Sequence, residues 1–293
     1  MNKEQYVIDH KQYLLGQDEK GENHYIKEVQ DVVFPIILEI DRVCRKNNIP
    51  YALAFGSALG IHNYGGFIPW DDDADIAFNY EDLPRLIEAF KKDLSPEYVF
   101  DCYETDNRYN LLQPTIKVKN KNGPTMVDIN YKRLPDHIHS SGGFFVDMVA
   151  FVGMPNAKMH RKLLRRSFWR MVSYFVQDYI FKHDPLKLKA KMKADEKKYA
   201  EMFKDAPCVC QTAILPFPKQ KENLFPREVI YPFKEYDFNG HKLFSFNDVE
   251  AFCRLRYGEV GLKQFDGEKY VDRFPIKQRK SLHIKKFHIP KTK

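Results

Sequence analysis

The sequence predicts an α+β fold in which a mixed sheet is flanked by helices and followed by a mostly helical C-terminal part. Between residues 26 and 48, apolar residues recur at intervals of three and four, which is the spacing of a helix with one buried face. Short apolar segments follow at 51–55 and 71–78, and each has the length of a strand. The composition beyond residue 155 then becomes helical and basic.

Residues 1–25 are polar and irregular, and we expect them to be a lead-in to the folded region. The predicted strand at 51–55 runs directly into Gly56-Ser57, and the residues after this pair have the pattern of a short helix. Further strands are predicted at 98–103, 115–119, 125–131 and 144–151. The middle two of these are joined by a Gly-containing connection that is typical of a hairpin.

Basic and apolar residues alternate along the first helix predicted in the C-terminal part. The basic ones are Lys158, Arg161, Lys162, Arg165, Arg166 and Arg170. One interpretation is that a face of this helix binds anionic lipid. The alternative is that the helix is an ordinary one exposed to solvent. After it we predict a charged helix at 185–205, a Pro-rich irregular segment at 207–232, a hairpin at 238–244 and a final helix ending at Gly258.

The composition indicates a globular protein and excludes several other classes. The chain has 293 residues, 43% of them hydrophobic, and a net charge of +7. This charge suits anionic substrates or a phospholipid surface, and we expect no nucleic acid partner. No segment approaches the roughly 20 uninterrupted apolar residues of a membrane span. Five cysteines without a Cys-x-x-Cys pair or a signal peptide predict free thiols in a reducing cytoplasm.

Four aspartates lie close together in an otherwise apolar segment, residues 67–78. They are Asp71, Asp72, Asp73 and Asp75. If the strand runs from Asp71 to Phe78, alternation of its side chains places Asp71, Asp73 and Asp75 on one face. Carboxylates this close repel one another, so the group either takes up protons or binds a hard cation such as Mg²⁺. A solvated acidic turn is the alternative, which the apolar flanks disfavour.

Two further features, with these acids, predict a metal-dependent site for phosphoryl or nucleotidyl transfer. Asp147 lies within a strongly apolar predicted strand, where a buried acid needs a partner, and a cation shared with Asp73 and Asp75 would supply one. Gly56 allows the backbone to approach a phosphate closely, and Ser57 offers a donor to phosphate oxygens. Asp73, Asp75 and Asp147 would hold divalent ions against the reacting phosphorus.

Several motifs resemble those of the LicD family of phosphocholine transferases, which has a nucleotidyltransferase fold and is related to the fukutin-type transferases. They are Phe-Gly-Ser-Ala-Leu-Gly at 55–60, Gly-Phe-Ile-Pro-Trp-Asp-Asp-Asp-Ala-Asp-Ile at 66–76 and Gly-Phe-Phe-Val-Asp-Met at 143–148. Asn63-Tyr64 stands where the family usually has Arg-His, and Val149-Ala150-Phe151 replaces Pro-Leu-Asp. These departures leave the acidic motifs intact.

This resemblance implies transfer of phosphocholine from CDP-choline, or a related CDP-linked donor, with release of CMP. The implied acceptor is a hydroxyl of a lipid-linked glycan or teichoic-acid precursor, as used for cell wall or lipopolysaccharide. The implied cofactor is Mg²⁺ or Mn²⁺. The expected catalytic residues and metal ligands are Asp73, Asp75 and Asp147. The expected substrate-binding residues are Gly56, Ser57, Trp70, Asp71 and Lys117.

The resemblance also predicts how the chain is divided. Residues 26–155 would form a nucleotidyltransferase-like catalytic core, and residues 156–293 a helical and irregular region that completes the active site. We expect a cytoplasmic protein, with peripheral contact to the inner face of the membrane as an open alternative. Two other functions also stay open: transfer of glycerol- or ribitol-phosphate or a nucleotidyl group, and non-catalytic binding of a glycan or a membrane surface.

Overall fold

A mixed sheet flanked by helices forms the centre of the protein, so the predicted α+β class is confirmed. The computed structural model describes residues 14–17, 23–69, 71–106, 115–121, 144–181, 186–211 and 224–263. The predicted strand at 125–131 lies outside these residues.

The described secondary structure comprises both strands and helices, which are mixed along the chain. The strands are β1 (Leu14–Gln17), β2 (Asn23–Tyr25), β3 (Tyr51–Ala54), β4 (Asp75–Asn79), β5 (Tyr98–Asp101), β6 (Thr115–Asn120), β7 (Phe145–Met154), β8 (Cys208–Gln211), β9 (Leu224–Pro226), β10 (Lys234–Phe238) and β11 (His241–Ser245). The helices are α1 (Ile26–Lys46), α2 (Phe55–Tyr64), α3 (Leu83–Asp93), α4 (Ala157–Phe175), α5 (Leu186–Phe203), α6 (Arg227–Ile230) and α7 (Val249–Lys263). A single π-helical turn, Val176–Ile180, extends α4.

The central sheet has the strand order β10-β11-β3-β4-β7-β6-β5. Strand β7 is long enough to pair twice on the same side, first with β6 and then with β8, which in turn pairs with β9. The pairs β11–β3 and β4–β7 are parallel, and the other pairs in this sheet are antiparallel. The parallel pair β4–β7, which carries Asp75 and Asp147, therefore lies at the centre of the sheet.

Helix α1 covers one face of this sheet with the apolar stripe that the sequence predicts. Its side chains at Val29, Val33, Ile36, Ile37 and Ile40 are at most 1% exposed. Full burial of a side chain of this size stabilises the fold by about 1.5–3 kcal/mol. The stripe therefore fixes α1 against the sheet, which in turn positions residues at the N-terminal end of the helix near the acidic segment.

The predicted strand from Asp71 was wrong at its beginning. Strand β4 begins only at Asp75, which pairs with Ala54, the last residue of β3. Strand β3 ends at Ala54, because the chain enters α2 directly after it. Residues 71–74 therefore have no β3 residue beside them. Asp71, Asp73 and Asp75 therefore do not share one face of a continuous strand.

The predicted irregular structure of the Pro-rich segment was also wrong in part. Strands β8 and β9 and helix α6 lie within it, and β8 extends the sheet beside β7. The hairpin expected at 238–244 is confirmed as β10–β11. Its two turn residues, Asn239 (φ 49°) and Gly240 (φ 78°), have the positive φ angles that tight hairpins use. The proposed division of the chain after residue 155 stays a prediction.

Other expectations concern the cysteines and the membrane. All five cysteines are free thiols, as predicted. Among the helices that the structure describes, none combines the length and the apolar character needed to cross a membrane.

Candidate active site

A row of charged residues crosses the centre of the sheet on one face. Asp75 of β4 pairs in register with Asp147 of β7, Asp147 with Lys117 of β6, and Lys117 with Asp101 of β5. Residues paired in register across neighbouring strands point to the same face of a sheet. The strand register thus brings together Asp75 and Asp147, which are 72 positions apart in the sequence.

Lys117 is the cation of this row that contacts the candidate catalytic acids. Its Nζ lies 2.6 Å from Oδ1 of Asp147, and its side chain is 2% exposed whereas that of Asp147 is 20% exposed. The same ammonium group lies 3.4 Å from the ring centroid of Phe145, a cation-π contact. Burial of an ammonium group is costly unless it is paired, so the carboxylate of Asp147 compensates Lys117, and the contact fixes the position of both side chains.

A second ion pair continues the row toward the edge of the sheet. Lys119, two residues after Lys117 and on the same face, pairs with Asp101 and is 1% exposed. Burial lowers the pKa of Lys119, and the carboxylate of Asp101 partly offsets this effect. Both lysines of β6 therefore stabilise carboxylates within the sheet, and neither is on an open surface.

The acids that precede β4 form a separate close group. One carboxylate oxygen from each of Asp71, Asp72 and Asp73 lies within 4.8 Å of the others. Asp72 is buried, and Asp71 and Asp73 are partly exposed. This group precedes β4 directly in the chain, and Asp75, the first residue of β4, pairs in register with Asp147.

Hydrogen bonds from α1 hold the backbone of this acidic segment. The side-chain amide of Gln30 donates to the carbonyls of Ile68 (3.0 Å) and Asp71 (2.9 Å). The backbone N–H of Asp71 also donates to the carbonyl of Ile68 (2.9 Å). Together with the bond from the backbone N–H of Asp147 to the carbonyl of Ala74 (3.0 Å), these bonds hold a segment that has no β3 neighbour, so the carboxylates are displayed by an ordered turn.

The Gly-Ser pair lies against the same acids. A Cβ at Gly56 would lie 2.7 Å from Oδ2 of Asp71, so the carboxylate occupies space that only glycine leaves open. The backbone N–H of Asp75 donates to Oγ of Ser57 (3.1 Å), and Ser57 is buried. Phe55, directly before the pair, has a φ of 46°, a strained value for a bulky residue. Strain of this kind is often found where a turn is shaped for function.

The structure brings most of the predicted site residues together. Gly56, Ser57, Asp71, Asp73, Asp75, Lys117 and Asp147 all lie around the start of β4 or in the adjacent row. Trp70 lies outside the described residues. The burial of Lys117 indicates that its partner is Asp147. The roles assigned to these residues stay predictions.

Arg256 and Tyr257 of α7 are near this site, and sequence reasoning did not assign them a function. Helix α7 packs on α2, and Cζ of Arg256 lies 5.9 Å from the ring centroid of Phe55. Burial, with the negative charges of Asp75 and Asp71, raises the pKa of Tyr257 well above its usual value. The approach of α7 to Phe55 is a long-range contact that no local pattern of the sequence records.

Arg256 also has an unused hydrogen-bond donor. Its Nε is buried and finds no acceptor among the residues that the structure describes. The neighbouring Arg254 differs, because it pairs with Glu250 (2.7 Å) and Glu259 (2.7 Å). Arg256 is therefore the arginine of α7 whose donors are not all paired within the described part of the chain.

Comparisons with known proteins relate most of the chain to one family. Residues 48–193 match the family described as LicD/FKTN/FKRP, nucleotidyltransferase domain. Over 254 residues the chain is 21% identical to the lipopolysaccharide cholinephosphotransferase LicD of Haemophilus influenzae, an alignment that covers 84% of each chain. Over 92 residues it is 32% identical to an uncharacterized protein of Rickettsia prowazekii and 30% identical to one of Rickettsia typhi. These shorter alignments cover 30% of this chain and 35% and 30% of the two relatives.

We predict that Lys117→Met destabilises the protein by about 3 kcal/mol, because it leaves Asp147 without its buried cation beside Asp75. The free energy of unfolding in urea measures this effect. Lys121→Met is the matched control, since Lys121 is exposed at the end of the same strand and should change stability by less than about 0.5 kcal/mol. Equal stability of the two variants would show that the pair does not anchor Asp147.

Proposed function

Because the chain belongs to the LicD/FKTN/FKRP family, we propose that it transfers phosphocholine from CDP-choline to a hydroxyl of a cell-surface glycan precursor, releasing CMP. The observation that carries this proposal is the group of three carboxylates, Asp71, Asp72 and Asp73, which lies against a Gly-Ser turn and directly before the in-register pair of Asp75 and Asp147. Such a site suits a diphosphate donor, whose charge must be neutralised before a phosphoryl group can be transferred.

The donor atoms of the site fit a divalent cation. Hard cations such as Mg²⁺ prefer carboxylate oxygens, and one such oxygen from each of Asp71, Asp72 and Asp73 lies within 4.8 Å of the others, directly before the in-register pair of Asp75 and Asp147. We propose that Asp73, Asp75 and Asp147 hold Mg²⁺ or Mn²⁺, with Asp71 and Asp72 beside them. When bound, the cation would neutralise charge on the diphosphate and on the departing CMP.

Asp147 is our candidate for the group that acts on the acceptor. Its side chain is held by the contact with Lys117 yet stays 20% exposed, so a carboxylate oxygen can accept a hydrogen bond from the acceptor hydroxyl and orient it. In the transfer, the acceptor oxygen forms a bond to the phosphorus of phosphocholine while the bond from that phosphorus to the CMP oxygen breaks. The hydroxyl proton passes to the carboxylate and then to solvent.

Arg256 is our candidate for a phosphate-binding residue. Its guanidinium lies beside Phe55, which is adjacent to the Gly56-Ser57 turn, and its buried Nε has no acceptor among the described residues. Lys117 is already committed to Asp147. A guanidinium is well suited to a phosphate oxygen, because it is permanently charged and presents several donors in one plane.

The acceptor is proposed more broadly than the donor. The Haemophilus influenzae relative is a lipopolysaccharide cholinephosphotransferase by name, and its alignment covers most of both chains. We therefore propose a lipid-linked glycan, of the lipopolysaccharide or teichoic-acid type, as the acceptor class. A cytoplasmic location is part of the same proposal.

An assay of donor use tests the proposed reaction. The purified chain, with Mg²⁺ and a hydroxyl acceptor, is incubated separately with CDP-choline, CDP-glycerol, CDP-ribitol and CTP. We expect CMP release and acceptor labelling from CDP-choline above the other donors. Asp73→Asn should lower this turnover at least about 100-fold, the scale set by loss of one electrostatic group at a reacting centre.

Two outcomes of this assay would contradict the proposal. Release of CMP from a polyol donor but not from CDP-choline would assign the enzyme to a different phosphotransfer. Full activity of Asp73→Asn, with a far-ultraviolet circular dichroism spectrum equal to that of the wild type, would remove the carboxylate group from the mechanism.

Variants of the two arginines of α7 test the phosphate-binding role. We expect Arg256→Gln to raise KM for the CDP-linked donor about tenfold or more, because a charge-assisted hydrogen bond contributes roughly 1.5–3 kcal/mol. Arg254→Gln is the matched control, since Arg254 pairs with Glu250 and Glu259, and its KM should stay near wild type. Equal KM values for both variants would assign Arg256 a purely structural role.

A further inference from the structure

Helix α4 and its π-helical extension expose large apolar side chains that packing does not explain. The exposed fractions are 45% for Phe168, 63% for Trp169, 68% for Ile180 and 60% for Phe181. The rings of Phe168 and Trp169 contact each other edge to face with centroids 5.6 Å apart. Four large apolar residues exposed within one helical segment mark an interaction surface more strongly than scattered single ones do.

Basic side chains flank these apolar residues. Four exposed or partly exposed cations lie within the first three turns of α4: Lys158, Arg161, Lys162 and Arg165. No acidic side chain of the described residues pairs with them, and the sequence of α4 contains no Asp or Glu. We call this set of four cations and four apolar residues the basic-aromatic patch.

Two other arginines of α4 serve the fold and are not part of the patch. Arg166 and Arg170 both pair with Asp195 of α5, and Arg166 also donates to the hydroxyl of Tyr199 (2.9 Å). These contacts fix one side of α4 against α5. The patch cations are therefore left for an external partner.

Helical spacing places the two kinds of side chain together. Lys158, Lys162, Arg165 and Trp169 follow one another at intervals of four, three and four, so they form a single stripe along α4. Phe168 follows Arg165 by three residues, beside the same stripe. The stripe begins with cations and ends in an aromatic pair, and Ile180 and Phe181 extend its apolar end.

We propose that the basic-aromatic patch docks the protein on an anionic phospholipid bilayer. Charge complementarity selects this partner, because the cations of the stripe face outward without acids and anionic headgroups supply the opposite charge. Tryptophan and phenylalanine side chains insert favourably at the boundary between headgroups and acyl chains. The patch lies outside the candidate active site, so membrane docking does not depend on which donor the enzyme uses.

Sedimentation with vesicles tests the proposal. The full chain is mixed with vesicles of phosphatidylcholine alone, or of phosphatidylcholine with phosphatidylglycerol, and the bound fraction is measured. We expect binding to the anionic vesicles, weak binding to the neutral ones, and a decrease as salt screens the charges. Two double variants should each weaken binding on the order of 10-fold or more. One is Trp169→Ser with Phe181→Ser, and the other is Lys162→Gln with Arg165→Gln.

Matched controls use exposed residues of the same types elsewhere. Leu255→Ser with Met202→Ser removes apolar side chains that are 45% and 56% exposed, and Lys91→Gln with Lys92→Gln removes two exposed charges of α3. Both controls should bind like the wild type. The proposal is overturned if the wild type ignores anionic vesicles, if the patch variants bind them as tightly as the wild type, or if the controls lose as much binding.

Discussion

The register of β4, β7 and β6 places three charges side by side, and the candidate site depends on this arrangement. Asp75 and Asp147 are direct neighbours across a parallel pair, and Lys117 lies on the other side of Asp147. Two adjacent carboxylates repel each other when partly buried, and a single lysine compensates only one of them. With the carboxylates of Asp71 and Asp73 close by, the site keeps a negative excess that a divalent cation would neutralise.

Elements from both ends of the sequence support this arrangement. Gln30 of α1 holds the turn before β4, and Gly56 leaves space for Asp71. From the C-terminal part, β11 pairs with β3, and α7 packs on α2 beside Phe55. The strands β8 to β11 thus belong to the same sheet as the acidic row, and α7 brings Arg256 to the Gly-Ser turn.

The local sequence predicted short-range features better than it predicted long-range contacts. The apolar stripe of α1, the turn at Asn239-Gly240 and the acids around Asp73 follow from short-range patterns, which a single sequence records. The start of β4 does not, because it is set by where β3 ends and α2 begins. The pairing of Lys117 with Asp147 and the approach of Arg256 to Phe55 are long-range contacts that periodicity does not encode.

The central claim, that these carboxylates form one cation site, is tested most directly by Mn²⁺ binding followed by electron paramagnetic resonance. Four proteins are titrated in parallel: the wild type, Asp73→Asn, Asp147→Asn and the control Asp237→Asn. Asp237 lies at an exposed position of β10. The account predicts that the wild type and the control bind Mn²⁺ equally and that each site variant binds at least about 10-fold more weakly. Equal binding by all four proteins, or no binding by the wild type, would contradict it.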